Sequence, residues 1–208
     1  VQAATTLPVF LLALLAGAVA DVVDRRRLLV VVNAFMAMVA GVLAVVVAAG
    51  LATPAVLLAF TFLLGAGAAF VGPAWQAIVP RLVPRGELAP AIALNSMGIN
   101  VSRAIGPALA GFLIVGIGIA APFVLNALSF LAIIAALLWW RPPAAPVRTL
   151  PPERIGQAIR AGLRYAMNSG PLQATLLRAV AYFLFASAFW AMLPLVARDV
   201  LAGGPTLY

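Results

Sequence analysis

The sequence predicts an all-α integral membrane fold with six transmembrane helices, and three observations predict it. Of 208 residues, 65% are hydrophobic and only 9% charged, against roughly a quarter charged in soluble domains. A water-soluble globule of this size still exposes roughly 30% of its unfolded surface, so it could not hide this much apolar chain. The apolar residues also gather in runs close to the ~20 residues that cross a ~30 Å hydrocarbon core as a helix. Finally, runs such as "VLAVVVAAG" and "LSFLAIIAALLWW" do not alternate, as barrel strands with a polar lumen would.

The spans follow in order. The first covers residues 7–20 and is expected to be missing its start, because the chain begins at Val1 rather than Met and ends at "GGPTLY" just after an apolar run. The opening run superficially resembles a signal peptide. It has no basic leading segment, however, and feeds directly into "DRRR" and a second apolar run, so a membrane span is the better reading. The next spans are expected at residues 28–50, 54–79, 91–119, 122–140 and 172–197. This organisation divides the chain into a transmembrane bundle at 1–140, a cytoplasmic central loop at 141–171, and the first helix of a second bundle at 172–208.

The gaps set orientation. Arg25, Arg26 and Arg27 occupy the first gap, Arg81 and Arg85 the third, and Arg141, Arg148, Arg154, Arg160 and Arg164 the fifth. The second and fourth gaps carry no charge. Basic residues concentrate in cytoplasmic loops, so the odd gaps face the cytoplasm and both chain ends face outward, as expected of a multi-pass protein of the plasma (inner) membrane. Ten of the thirteen arginines sit in gaps between apolar runs, where they serve the lipid bilayer as partner and do not form the basic stripe that binds nucleic acid. With no Cys, no His and five scattered acids, a disulfide framework and a classical metal centre are excluded. No phosphate loop, nucleotide fingerprint or nucleophile–base pair is present, so the chain is expected to carry no catalytic residues and no cofactor.

The fifth gap changes character. "RPPAAPVRTLPPE" is too rich in proline to be helix and reads as an extended linker. In the following "ERIGQAIRAGLRYAMNSGP", Ile155, Ile159, Leu163 and Met167 recur at steps of four, with Arg154, Arg160 and Arg164 on other faces. Such a helix either lies on the inner membrane surface, its arginines toward anionic headgroups, or is solvated and packs on a neighbouring bundle. Both readings stay open.

Four stretches could carry function. In "GAVADVVDRRRLL" the arginines alone make a membrane anchor, but acids contribute little to topology. If the helix continues, Asp21 and Arg25 share one face, and Gly17 allows another helix to come close. In "LLGAGAAFVGPAWQAIVPRLVPRGEL", Gly65, Gly67, Ala69 and Gly72 favour close helix packing in lipid. Pro73 would free the carbonyl four residues back, and Gln76 either snorkels or meets a substrate. In "NSMGINVSRAIGPALAG", Gly98, Ser102, Gly106 and Ala110 make a small-residue stripe beside a polar one of Ser96, Asn100, Arg103 and Pro107. Finally Asn33, Asn126 and Ser129 are expected to hydrogen-bond between helices, while Arg178 and Tyr182 share a face near the inner end of the sixth span.

Arg103 is the residue to explain. It lies about 12 residues, or about 18 Å of helix, from the nearer end of its span, too far for easy escape to water. An arginine at mid-bilayer costs roughly 2.5 to 3.5 kcal/mol on insertion scales. None of the five acids falls mid-span, so its partner is a carbonyl, an Asn, an acid outside this sequence, or a substrate. A purely structural alternative has Arg103 bracing carbonyls opened by Pro107.

These motifs carry a family resemblance. Gly17, Asp21, Arg25 and Arg26 resemble the loop signature of the major facilitator superfamily, G-x-x-x-D-[R/K]-x-G-[R/K]-[R/K], with Val22 and Asp24 as departures. The "VDRRR" form, and the run from Gly72 to Val83, resemble the branch that includes siderophore and macrolide exporters. "GPALAG" resembles the antiporter signature G-P-x-x-G-G, with Ala110 in place of one glycine. The superfamily's usual arginine in the third span is absent here, which removes any proton-relay role for that position.

The resemblance implies helices two through seven of a twelve-helix secondary transporter built from repeated bundles. It implies alternating access, energy from an ion gradient with the proton as coupling ion, and export of small amphipathic molecules of drug or siderophore type. Gly17, Asp21, Arg25 and Arg26 would form the cytoplasmic gate. Gly98, Ser102, Gly106, Pro107 and Gly111 would shape the bundle interface, and Arg103 with Asn100 would serve the internal cavity. A reading of another class is a non-transporting truncated membrane fragment with a structural role only.

Overall fold

Asp24 caps the start of the second helix, and Thr53 does the same for the third. The computed structural model describes residues 2–140 and 155–199. Its helices are α1 (Gln2–Val22), α2 (Arg25–Ala48), α3 (Pro54–Ile78), α4 (Leu88–Gly116), α5 (Ala121–Trp139), α6 (Ile155–Asn168) and α7 (Gly170–Asp199). No strand occurs among the described residues. Six of the helices, all but α6, are long and apolar enough to cross a membrane, as the composition predicts. The proline-rich linker at 141–154 lies outside the described residues.

Caps explain the boundaries. The Asp24 carboxylate accepts the backbone N–H of Arg27 at 2.8 Å, satisfying one of the donors that every helix start leaves open. Thr53 accepts the Val56 N–H at 3.3 Å, and Pro54 then fills the first helical position, where its missing N–H costs nothing. Between α4 and α5 the chain turns at Gly118, whose φ of 122° suits only glycine. Gly106-Pro107, a pair that disfavours helix, does not end the fourth helix. Pro107 sits inside α4, and the helix gives up the one bond from residue 107 to the Arg103 carbonyl.

The chain divides into two compact units, Val1–Ile155 and Gly156–Tyr208. In the first, α3 packs against both α1 and α2, and α2 packs against α5. The tight approaches come at two glycines. A Cβ on Gly65 would stand 2.9 Å from the Thr5 carbonyl oxygen and 3.2 Å from Pro8, and one on Gly67 would stand 2.5 Å from Met36 Cγ. Without a water-driven hydrophobic force inside lipid, such close backbone approach is what holds helices together. Gly72, on the same helix, has nothing within 4 Å. A core of Ala20, Leu28, Leu29, Ala74, Ile78 and Leu137 joins the ends of α1, α3 and α5 to the start of α2. Large side chains such as Phe10, Leu94 and Phe112 stay exposed, as lipid-facing residues do. The helix α4 touches its neighbours only lightly and buries no residue.

The second unit contains α6 and α7. Helix α6 sets Ile159, Leu163 and Met167 apart from Arg160 and Arg164, as its four-residue spacing predicts. In α7, Tyr182 meets Phe183 edge to face at 5.5 Å.

Candidate functional site

Two groups of residues stand out in the first unit: an arginine latch at one end, and a pair of adjoining cavities along α4.

The latch begins at the break between α1 and α2. Because α1 stops at Val22 and Asp24 caps α2, Asp21 and Arg25 do not lie on one continuous helix. They still meet, with Arg25 Nη2 3.9 Å from Asp21 Oδ1. Asp21 is largely exposed, so the pair is screened and weak. Arg25 also donates Nε to the Ala20 carbonyl and Nη1 to the Ala77 carbonyl, each at 3.4 Å. Arg26 makes the shorter contacts: Nε donates to Leu137 O at 2.6 Å and Nη2 to Leu138 O at 2.7 Å.

All these acceptors lie in the last turns of helices, at the negative end of the helix dipole, where carbonyls lack intrahelical partners. Arg25 thereby joins the ends of α1 and α3, while Arg26 forks onto the end of α5 in a charge-assisted pair of bonds. The pairing of Arg26 with α5 was not legible in the sequence, because its acceptors are backbone atoms 111 and 112 positions away. Gly17, expected to admit a neighbouring helix, has nothing within 4 Å of where a Cβ would stand.

The second group centres on α4. Gly98, Gly106 and Gly111 likewise meet nothing within 4 Å, and Ser102 and Pro107 are exposed. Asn100 donates Nδ2 to the Ser96 carbonyl of its own helix at 2.9 Å. Arg103 is exposed and makes no hydrogen bond or ion pair among the described residues, so bracing of opened carbonyls is not formed. It borders an open groove of about 510 Å³ lined by Asn95, Gly98, Ile99, Ser102 and Arg103 itself. Asn100 is not among the lining residues.

Next to the groove lies a larger chamber of about 800 Å³ with almost wholly apolar walls. Asn33 of α2, Trp75 of α3, Ile99 of α4, Trp139 of α5 and the following Trp140 contribute to it. Asn95 and Ile99 line both spaces, so the groove and the chamber adjoin at these two residues. At their junction Trp75 Nε1–H donates to Asn95 Oδ1 at 3.1 Å, a bond between α3 and α4.

That bond joins two side chains across helices, and it falls on residues other than those expected. Asn33 donates to Leu29 O at 2.7 Å and Ser129 to Asn126 O at 2.7 Å, each within its own helix. Short polar side chains satisfy themselves on the preceding turn. An indole N–H has no acceptor on its own helix within reach and must look outward. The isolated Trp in "GPAWQ" was the available signal for this contact.

Comparison with known proteins places these features in a family context. Residues 1–208 match the family model described as transmembrane secretion effector. The chain is 35% identical over 108 residues to the staphyloferrin A transporter of Staphylococcus aureus, covering 51% of this chain and 27% of that one. It is 31% identical over 177 residues to the multidrug efflux pump Tap of Mycobacterium tuberculosis, covering 81% of this chain and 42% of the pump. The chain thus spans less than half the length of these curated relatives. No solved structure matches it.

Proposed function

Since this chain belongs to the transmembrane secretion effector family, within the major facilitator superfamily, we propose that it forms the first bundle, and the helix that follows it, of a secondary exporter for small amphipathic molecules. The multi-pass membrane character is given by six apolar helices of spanning length. The observation that carries the transport reading is the family match across the whole chain, which includes the signature loop and α4 together.

Under this reading the helix ends stapled by Arg25 and Arg26 lie at the cytoplasmic face of the inner membrane, and both ends of this chain lie outside. The latch residues Gly17, Asp21, Arg25 and Arg26 hold the cytoplasmic gate. Bonds from guanidinium groups to helix-end carbonyls suit that task, because they can part and reform as bundles rock without unfolding a helix. Gly98, Ser102, Gly106, Pro107 and Gly111 face the second bundle, and Arg103 serves the substrate path. Asn100 supports that path from the adjoining face. A proton gradient supplies the energy, and the bundles expose the site alternately to each side.

The test is efflux from cells expressing the complete reading frame. Export of a fluorescent amphiphile that stops when a protonophore collapses the gradient is expected. Export that persists without the gradient would remove proton coupling. No export at all, with the protein present in the membrane, would return the chain to a structural role.

A further inference from the structure

Arg103, Ile99 and Asn95 follow one another at steps of four on α4, so a single helix face carries a cation, an apolar side chain and an amide. Ile99 and Asn95 also line the apolar chamber, while Arg103 borders the groove. Eight residues of helix set the backbone of Arg103 about 12 Å along the axis from that of Asn95. The two spaces therefore make one elongated site, charged at one end and greasy at the other.

We infer that this composite site selects an anionic amphiphile, held with its anion at Arg103 and its apolar body in the chamber beside Trp75, Trp139 and Trp140. The inference rests on the transport reading and gives it a substrate class. Three observations carry it. A mid-span cation without a partner among the described residues needs a counter-charge; none of the five acids of this sequence lies mid-span, which leaves a bound anion or an acid outside this sequence, and the labelling test below separates the two. The chamber is of the size that small-molecule ligands occupy, and its walls are apolar and aromatic. At the junction Asn95 uses Oδ1 for Trp75 but leaves its Nδ2 without a partner among the described residues, as a donor for a ligand carbonyl or ether.

The direction of the site separates a cargo from a structural lipid. The chamber walls come from the start of α2, the ends of α3 and α5, the first half of α4, and Leu82 in the connection between α3 and α4, all on the side of the arginine latch. Arg103 lies farther in, toward the middle of α4. A ligand filling both spaces puts its charge at mid-membrane and its apolar body toward the cytoplasmic face. A phospholipid in its leaflet has the opposite polarity. The site therefore fits a molecule removed from the leaflet and inverted, and disfavours a resident lipid.

The test uses the protein from its complete reading frame in phosphatidylcholine nanodiscs, with a twelve-carbon fatty acid bearing a tail diazirine as probe. Its methyl ester and its trimethylammonium analogue are the controls. After illumination and peptide mapping, the carboxylate is expected to label residues 71–82 and 133–140 at least tenfold more than the ester. Arg103→Gln should lower that labelling to the ester level, while Arg103→Lys should keep most of it. Equal labelling by acid and ester on the unaltered protein would overturn the inference, as would preference for the ammonium probe or labelling unchanged in Arg103→Gln. Labelling that depends on charge without gradient-driven efflux would leave the site standing and remove the transport reading. Efflux without charge-dependent labelling would remove only the anionic site.

Discussion

Arg26 donates Nε to the Leu137 carbonyl at 2.6 Å, joining the first turn of α2 to the last turn of α5. Its second bond, to Leu138 at 2.7 Å, makes the contact a fork onto a helix end. Arg25, one residue earlier, reaches its carbonyls at 3.4 Å and its acid at 3.9 Å. The two neighbours are therefore unequal. Arg26→Ala is expected to destabilise the bundle by roughly 1 to 3 kcal/mol, in the range for hydrogen bonds to charged groups, and Arg25→Ala by less. Thermal unfolding in one detergent reads the order, and a larger loss from Arg25→Ala would reverse this ranking.

Gly65 and Gly17 make a contrasting pair. A methyl group on Gly65 meets a backbone oxygen of α1 at 2.9 Å, which cannot move aside as a side chain could. Gly65→Ala should cost about 1 to 3 kcal/mol, as overpacking does, and should loosen α1 from α3. Gly67→Ala should cost less, because the atoms it meets belong to the flexible Met36 side chain. Gly17→Ala meets no neighbour and should raise stability by about 0.5 to 1 kcal/mol through helix propensity alone, while gate function is assayed separately. Protease accessibility of the α1–α2 turn, beside melting temperature, would expose an error in either direction.

The Trp75–Asn95 bond can be removed without emptying its site. Trp75→Phe keeps an aromatic ring but loses the N–H, and should cost about 1 kcal/mol. Because α4 has few other contacts, the loss should appear as roughly fivefold faster amide exchange in the first half of α4, with α1 and α2 unchanged. Uniform exchange across the bundle would show that the bond does not hold α4 in particular.

Asp24 tests the helix break. As the residue capping α2 it contributes about 0.5 to 2 kcal/mol, so Asp24→Ala should destabilise by that amount and Asp24→Asn hardly at all. If both variants were neutral, the two helices would not depend on that cap for their separation. Equal and substantial losses in both would assign Asp24 a charge-dependent role instead.

The Arg103 variants report on transport. Arg103→Ala is expected to abolish efflux by the protein from its complete reading frame while leaving its abundance in the membrane intact. Normal efflux would exclude Arg103 from the path, and loss of the protein would mark a structural duty.

What was legible and what was not divide along a physical line. The six spans, Pro54 at a helix start and the apolar spacing of α6 were all readable, because length, proline geometry and periodicity act within a few residues. The four-residue spacing of Asp21 and Arg25 was also visible, but whether the helix continued between them stayed open, because Asp24 was not read as a cap. Gly65 and Gly67 were recognised together with Gly72 as packing residues. Which of the three is crowded depends on where α1 and α2 lie.

By itself, then, the sequence determined the solvent this chain lives in, its six crossings and the arginine-rich face of its loops, since burying apolar surface and solvating charge are properties of the residues alone. Tertiary structure decided the partners. Only the packing of α2 against α5 gives Arg26 its carbonyls, and only the approach of α4 to α3 gives Trp75 its acceptor. In a helix every backbone group looks alike along the chain, and a guanidinium or an indole chooses among them by distance.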